Sequence, residues 1–150
     1  VETRRARLAD AAEMAPFMRE EDAAEVLAEA GHTPYEALAY ALALSGSQAW
    51  TVRVDKKIMA MWGVVPVDLL SGVGVPWLLT TYEVERHPKI FMRASREAVR
   101  WIRKRYNFAF NRIDARYEKA LRWAKRIGFE TFGPETADGY TFHAIVLRGD

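Results

Sequence analysis

The chain has 150 residues, half of them hydrophobic, with five Trp, seven Phe and no cysteine. That suffices for one core in one domain, and it excludes disulfide staples and Cys-ligated zinc. The formal net charge is only +2, but it is split: from Asp10 to Glu36 eight acids face a single base, Arg19, and from Arg86 to Arg126 fourteen bases face only Glu97, Asp114 and Glu118. Such asymmetry concerns partners rather than fold.

Glu2 to Arg7 reads as a short first strand. Leu8 to Met18 follows at helical spacing, and Glu20 to Ala30 is a second helix whose acidic first turn suits the helix dipole. Gly31 ends it. Thr33 is placed as the N-cap and Pro34 as the first residue of a third helix running to Leu44. The period then changes. Trp50–Val54 and Ile58–Val65 read as strands joined by a turn at Asp55-Lys56-Lys57, Pro66–Pro76 as a loop, and Trp77–Val84 as the next strand. A long helix runs from about Pro88 to Tyr106, with Phe91, Ala94, Ala98, Trp101 and Ile102 on one face. Phe108–Ala115 is a strand, Tyr117–Ile127 a short helix stopped by Gly128, and Phe129–Phe132 and Tyr140–Leu147 are closing strands around a Gly133-Pro134…Asp138-Gly139 turn region.

The order β-ααα-βββ-α-β-α-ββ predicts an α/β fold of the α+β kind. We expect one domain over 1–150, built on a mixed, mostly antiparallel twisted sheet with helices on both faces. The low-charge run Ile58–Tyr82 has the length of a membrane span, but Gly63, Pro66, Asp68, Gly72, Gly74 and Pro76 interrupt it, so no span is expected. Val1–Arg7 is too charged to open a signal peptide. The histidines His32, His87 and His143 form no HExxH-type pair, so no metal site is expected. Gly72-Val-Gly74 has no helix after it and reads as a tight loop, and Trp62 and Trp77 read as core.

The run Ala120-Leu-Arg-Trp-Ala-Lys-Arg-Ile-Gly128-Phe129 resembles the GNAT N-acetyltransferase segment that ends in Gly-Phe, and the element order resembles that fold along nearly the whole chain. Three further stretches, Met18–Asp22, Val65–Leu79 and Glu85–Lys89, resemble a family of GNAT-like phage and prophage proteins related to an internal virion protein of short-tailed phages. This resemblance implies a protein made in the bacterial host cytoplasm and located in the virion. Its implied partners are capsid, portal or tail proteins, with self-association and contact with packaged DNA left open.

The GNAT resemblance implies acetyl-CoA as cofactor if the chain is catalytic, and none is required otherwise. Leu79, Thr80 and Thr81 on the strand, with Arg86, His87 and Lys89 at the start of the next helix, would hold it. The sequence departs from the pattern at three points. The diphosphate loop needs glycines for close backbone approach, whereas Glu85–Phe91 has none and Pro88 removes an N–H donor. The Tyr that serves as general acid is replaced by Ala124, and the Asn on the coenzyme arm by Tyr117. Tyr117 is a candidate displaced acid, and Glu83, on the strand, or His87 a candidate base. The same residues also read as ordinary packing and capping groups.

The basic stripe Arg93, Arg96, Arg100 and Arg103, with Arg122 and Lys125, is either a solvated face or a phosphate contact. The leading expectation is a phage virion or assembly protein on a GNAT scaffold, acting by docking without efficient catalysis. An active acetyl-CoA-dependent N-acetyltransferase and a DNA-contacting virion protein are the alternatives.

Overall fold

The computed structural model describes all 150 residues, Val1–Asp150. The elements are β1 (Glu2–Arg5), α1 (Leu8–Met14), a 3₁₀ turn (Ala15–Phe17), α2 (Glu20–Ala30), α3 (Pro34–Ser45), β2 (Ala49–Val54), β3 (Lys57–Asp68), β4 (Val73–Thr80), α4 (Glu83–Arg86), α5 (Pro88–Arg105), β5 (Phe108–Asp114), α6 (Glu118–Arg126), β6 (Glu130–Ala137) and β7 (Tyr140–Arg148). The strands form one sheet in the order β1-β2-β3-β4-β5-β7-β6. The β4–β5 pair is parallel and the other registered pairs are antiparallel. By compactness the chain divides into Val1–Val65 with Trp77–Ala94, and Pro66–Pro76 with Ser95–Asp150.

In the first unit, the hydrophobic alternation of β3 is broken by a bulge. Val52 pairs with Ala60 but Arg53 pairs with Ile58, so Met59 is an extra residue. Ile58 and Met61, three apart, therefore enter one cluster with Ala11, Met14, Met18 and Leu38 from the α1 and α3 side. Met59 enters another with Val52, Val54 and Val84, against which Ile90, Phe91 and Ala94 of α5 pack. Both faces are thus covered by helices. Asp10 is buried on the α1 side, where it accepts from the Arg7 N–H at 2.9 Å, the Thr51 hydroxyl at 3.0 Å and Arg53 at 3.1 Å. These donors hold its carboxyl below the ordinary value of 3.8 although burial opposes them. Trp62 stacks on Trp50 with ring centroids 4.6 Å apart, and the Trp77 Nε1–H donates to Ser45 Oγ at 2.7 Å.

In the second unit, β5, β7 and β6 form an antiparallel ladder in which Ala109 and Leu147 lie opposite each other and are buried, while Phe108 and Phe110 alternate outward and stay exposed. The Trp123 Nε1–H of α6 donates to Ser95 Oγ of α5 at 3.0 Å. The β3–β4 turn is clamped by Asn107, whose backbone N–H donates to the Gly72 carbonyl at 2.7 Å and whose side-chain amide donates to the Ser71 carbonyl at 2.8 Å.

Four boundaries differ from the sequence reading. The first helix stops at Met14 and passes into a 3₁₀ turn, because Pro16 has no N–H to continue the ladder. The expected loop Pro66–Pro76 shrinks to Leu69–Gly72, since Val65, Val67, Val73 and Val75 are strand formers that carry β3 to Asp68 and start β4 at Val73 despite the flanking prolines. The strand expected to reach Val84 ends at Thr80. There the Thr81 hydroxyl accepts from the Glu83 N–H at 3.3 Å, and the chain turns into α4. Phe129–Phe132 extends instead to Ala137 through a register shift at Gly133-Pro134, and the reversal is left to Asp138-Gly139, both at positive φ.

Gly63 lies where β3 passes beneath Trp77. A Cβ there would meet the Gln48 carbonyl oxygen at 2.6 Å and the Trp77 ring at 2.9 Å. Gly63→Ala is expected to cost about 1–3 kcal/mol by overpacking, read as a fall of roughly 3–10 °C in a thermal melt. An unchanged melting temperature would show that this contact is slack.

Candidate functional site

The end of β4 is the place to look, because Leu79, Thr80 and Thr81 follow one another there. Thr80 is 2% exposed and every polar group it has is used. Its N–H and its hydroxyl both donate to Asp22 Oδ2, at 2.8 and 2.6 Å. Its hydroxyl oxygen accepts from Arg19 Nε at 2.7 Å, and its carbonyl accepts from the Arg19 N–H at 2.9 Å. Arg19 closes the ring with an ion pair to Asp22 Oδ1 at 3.8 Å. Thr81 turns the other way: its N–H donates to the Met59 carbonyl at 3.0 Å and its hydroxyl to the Ile58 carbonyl at 2.7 Å. Leu79 is half-buried against the cluster of Ala11, Met14 and Leu38. Burial is the largest influence on Asp22 and raises its carboxyl above the ordinary value of 3.8, against the Thr80 hydroxyl and the Arg19 guanidinium.

The turn after β4 gathers three more of the sequence candidates. Glu83 lies in α4, not on the strand, and is buried at 8% exposure. One carboxylate oxygen is ion-paired with Arg86, and the other lies 3.8 Å from His87 Nε2. His87 is half-buried and serves as the C-cap of α4, with its N–H donating to the Glu83 carbonyl at 3.0 Å. Pro88 is the first residue of α5, and the Phe91 N–H already donates to the His87 carbonyl at 3.0 Å. At the α5 N-terminus this leaves at most the N–H groups of Lys89 and Ile90 to face outward. Lys89 is exposed.

Tyr117 belongs to the second unit. It is the residue before α6, half-buried, with its N–H donating to the Asp114 carbonyl at 3.0 Å and the Arg116 guanidinium 5.7 Å from its ring. Ala124 is fully buried. Of the basic stripe, Arg93, Arg96, Arg100, Arg122 and Lys125 are exposed, whereas Arg103 is half-buried and tied down, its Nε donating to the Arg148 carbonyl at 3.1 Å and lying 3.5 Å from Asp150.

Arg19 and Asp22 escaped the sequence reading as partners of the site. Asp22 was read as a helix first-turn acid, and 58 residues separate it from Thr80. A local signal existed in the adjacent polar pair Thr80-Thr81 at the end of an apolar strand, since such a pair inside a domain demands partners.

No family model and no curated protein matches the sequence. Solved structures do match its shape over almost all of both chains. An acetyltransferase of the GNAT family from Streptococcus pneumoniae is 12% identical with a TM-score of 0.69, covering 99% of each chain. Ard1 from Thermoplasma volcanium is 11% identical with a TM-score of 0.73, covering 99% of this chain and 97% of its own. A spermidine N-acetyltransferase chimera from Vibrio cholerae and hSSAT is 11% identical with a TM-score of 0.71, covering 98% and 94%. The chain therefore has the GNAT acetyltransferase fold.

The raised carboxyl of Asp22 fixes a sign. The folded state holds the Asp22 proton more tightly than the unfolded state, so this group lowers stability as pH rises from 3.8 through its folded value. Asp22→Asn keeps an acceptor for Thr80 but cannot ionise. In urea melts over a pH series its stability relative to the parent is expected to rise through that window and level off above it. A difference that does not change with pH would contradict the burial of this carboxylate.

Proposed function

We propose that this chain is a GNAT-fold protein that has given up efficient acetyl transfer and acts by docking, as a component of a phage virion or of its assembly. One observation carries the first half. The polar groups of Thr80, on the strand that would present its main chain to a coenzyme arm, are already consumed by Asp22 and Arg19. A ligand would have to displace an ion-paired carboxylate before it met the Thr80 N–H or hydroxyl, and an exposed, unpaired Asp22 would gain little in return. The turn after the strand supports the same reading, since it lacks glycine, has Pro88 where a donor would stand, and offers at most two outward N–H groups. Ala124, fully buried, supplies no acid. The residues present do not fit acetyl-CoA, and we derive no step through it.

The docking half rests on the charge split and on the phage resemblance of Met18–Asp22, Val65–Leu79 and Glu85–Lys89. On this reading the protein is made in the host cytoplasm and resides in the virion, with capsid, portal or tail proteins as partners. The acidic α2 offers one outer surface to them, and the basic α5 a second that meets a different partner.

The second reading is an active N-acetyltransferase. It is favoured by the gathering of Glu83, Arg86 and His87 at one turn, a base candidate beside a cation at a helix start. A thermal shift with acetyl-CoA separates the two. A ligand at one hundred times its Kd adds about 2.7 kcal/mol, or roughly 5–10 °C here. We expect 1 mM acetyl-CoA to move the melting temperature by less than about 1 °C, well below that bound. A shift of several degrees that disappears in Arg86→Ala/Lys89→Ala, together with turnover of an amine and absence from purified particles, would replace the first reading by the second.

A further inference from the structure

The outward faces of α5 and α6 hold cations that nothing in the chain neutralises. Arg96, Arg100 and Lys104 recur every four residues along α5, and Lys119, Arg122 and Arg126 recur at three and four along α6. All six are exposed and none makes an ion pair. Six arginines elsewhere, Arg4, Arg19, Arg53, Arg86, Arg116 and Arg148, each meet a carboxylate. The part of α5 that carries its row, from Ser95 onward, lies in the same unit as α6 and is joined to it by the Trp123–Ser95 hydrogen bond, so the two rows sit on neighbouring supports. Each row spans about 10–12 Å of helix axis. Glu97 and Glu118 are the only acids on either helix.

The kind of partner follows from what is missing. No large exposed hydrophobic side chain lies on α5 or α6; those of the chain lie on other elements, for example Leu27, Leu69, Leu70 and Phe110. A protein partner needs a desolvated apolar anchor at the centre of its contact, whereas a phosphate backbone needs only spaced cations, best supplied by guanidinium groups that can bind phosphate bidentately. We propose that the α5–α6 face binds the phosphodiester backbone of nucleic acid without reading its sequence. This surface shares no residue with the β4 end, and the inference holds whether or not acetyl transfer occurs.

The test is fluorescence anisotropy with a labelled DNA duplex of about 20 base pairs over a salt series. The expected plot of log affinity against log salt has a slope of about −4 to −5, so affinity falls about 10²–10³-fold between 50 and 200 mM. Two unrelated duplex sequences should bind alike. The triple variant Arg96→Ser/Arg100→Ser/Arg122→Ser should bind at least about tenfold more weakly at 50 mM and with a slope shallower by about 3, while keeping the parent melting temperature. A control pair in the other unit, Arg5→Ser/Lys57→Ser, should lose less than about threefold. Absence of a complex at 50 mM, or equal losses in the triple variant and the control, would overturn the proposal. So would a salt-sensitive self-association, lost in the triple variant and seen without any DNA complex, because it would assign the face to the acidic α2 of a second copy.

Discussion

A strand that ends inside a domain must find partners for its last N–H and C=O, since leaving either buried and unpaired costs about 1–3 kcal/mol. At Thr80 the chain meets this demand with the segment that starts α2. The backbone N–H of Arg19 takes the strand's carbonyl, the Arg19 side chain takes the hydroxyl, and Asp22 takes the backbone N–H and the hydroxyl proton together. The bridge between Met18 and Thr81 continues the same contact by one residue. Much else in the first unit depends on this closure. It anchors α2, which buries no residue fully, and it aims Thr81 at β3 so that its hydroxyl can begin the turn into α4.

The closure bears on the proposed loss of efficient acetyl transfer. On the reading proposed above, the strand's main chain is what a coenzyme arm would draw on, and an internal carboxylate draws on it first. The carboxylate is itself held at a cost, because burial pushes its pKa up and only the Arg19 guanidinium and the Thr80 donors offset that. A group kept in that state has a reason to stay, and satisfying Thr80 is the reason on view. Charge elsewhere follows a different rule. Asp10, Glu13 and Arg53 form a tight paired network, while α5 and α6 leave their outer cations open to solvent. The chain thus pairs charge where it builds structure and leaves a dense row of it bare on α5 and α6.

Much of the fold could be read from the residues. Thr33 and Glu36 cap each other at 3.2 and 3.0 Å as the Thr-Pro start predicts, and Gly31 and Gly128 stop their helices at positive φ. The order of elements followed from periodicity and turn signals, and its likeness to the GNAT fold from that order together with the Ala120–Phe129 run. What could not be read was decided at long range. Pro66, Gly74 and Pro76 are local breakers, yet the β3–β4 hairpin holds them in extended chain. Glu83 continues an apolar strand pattern, yet the Thr81 hydroxyl turns it into α4. The pairing of Asp22 with Thr80 joins two helix-and-strand patterns that are each complete on their own, so neither shows that it needs the other. At the candidate site, residue types were legible but their occupation by neighbours was not.

Backbone amide NMR addresses Thr80 itself. If its N–H is committed to Asp22, its hydrogen exchange should be among the slowest in the free protein, and its resonance should stay in place when acetyl-CoA is added to millimolar concentration. Rapid exchange at Thr80 in the free protein, or a movement of its resonance that saturates with acetyl-CoA, would contradict the account.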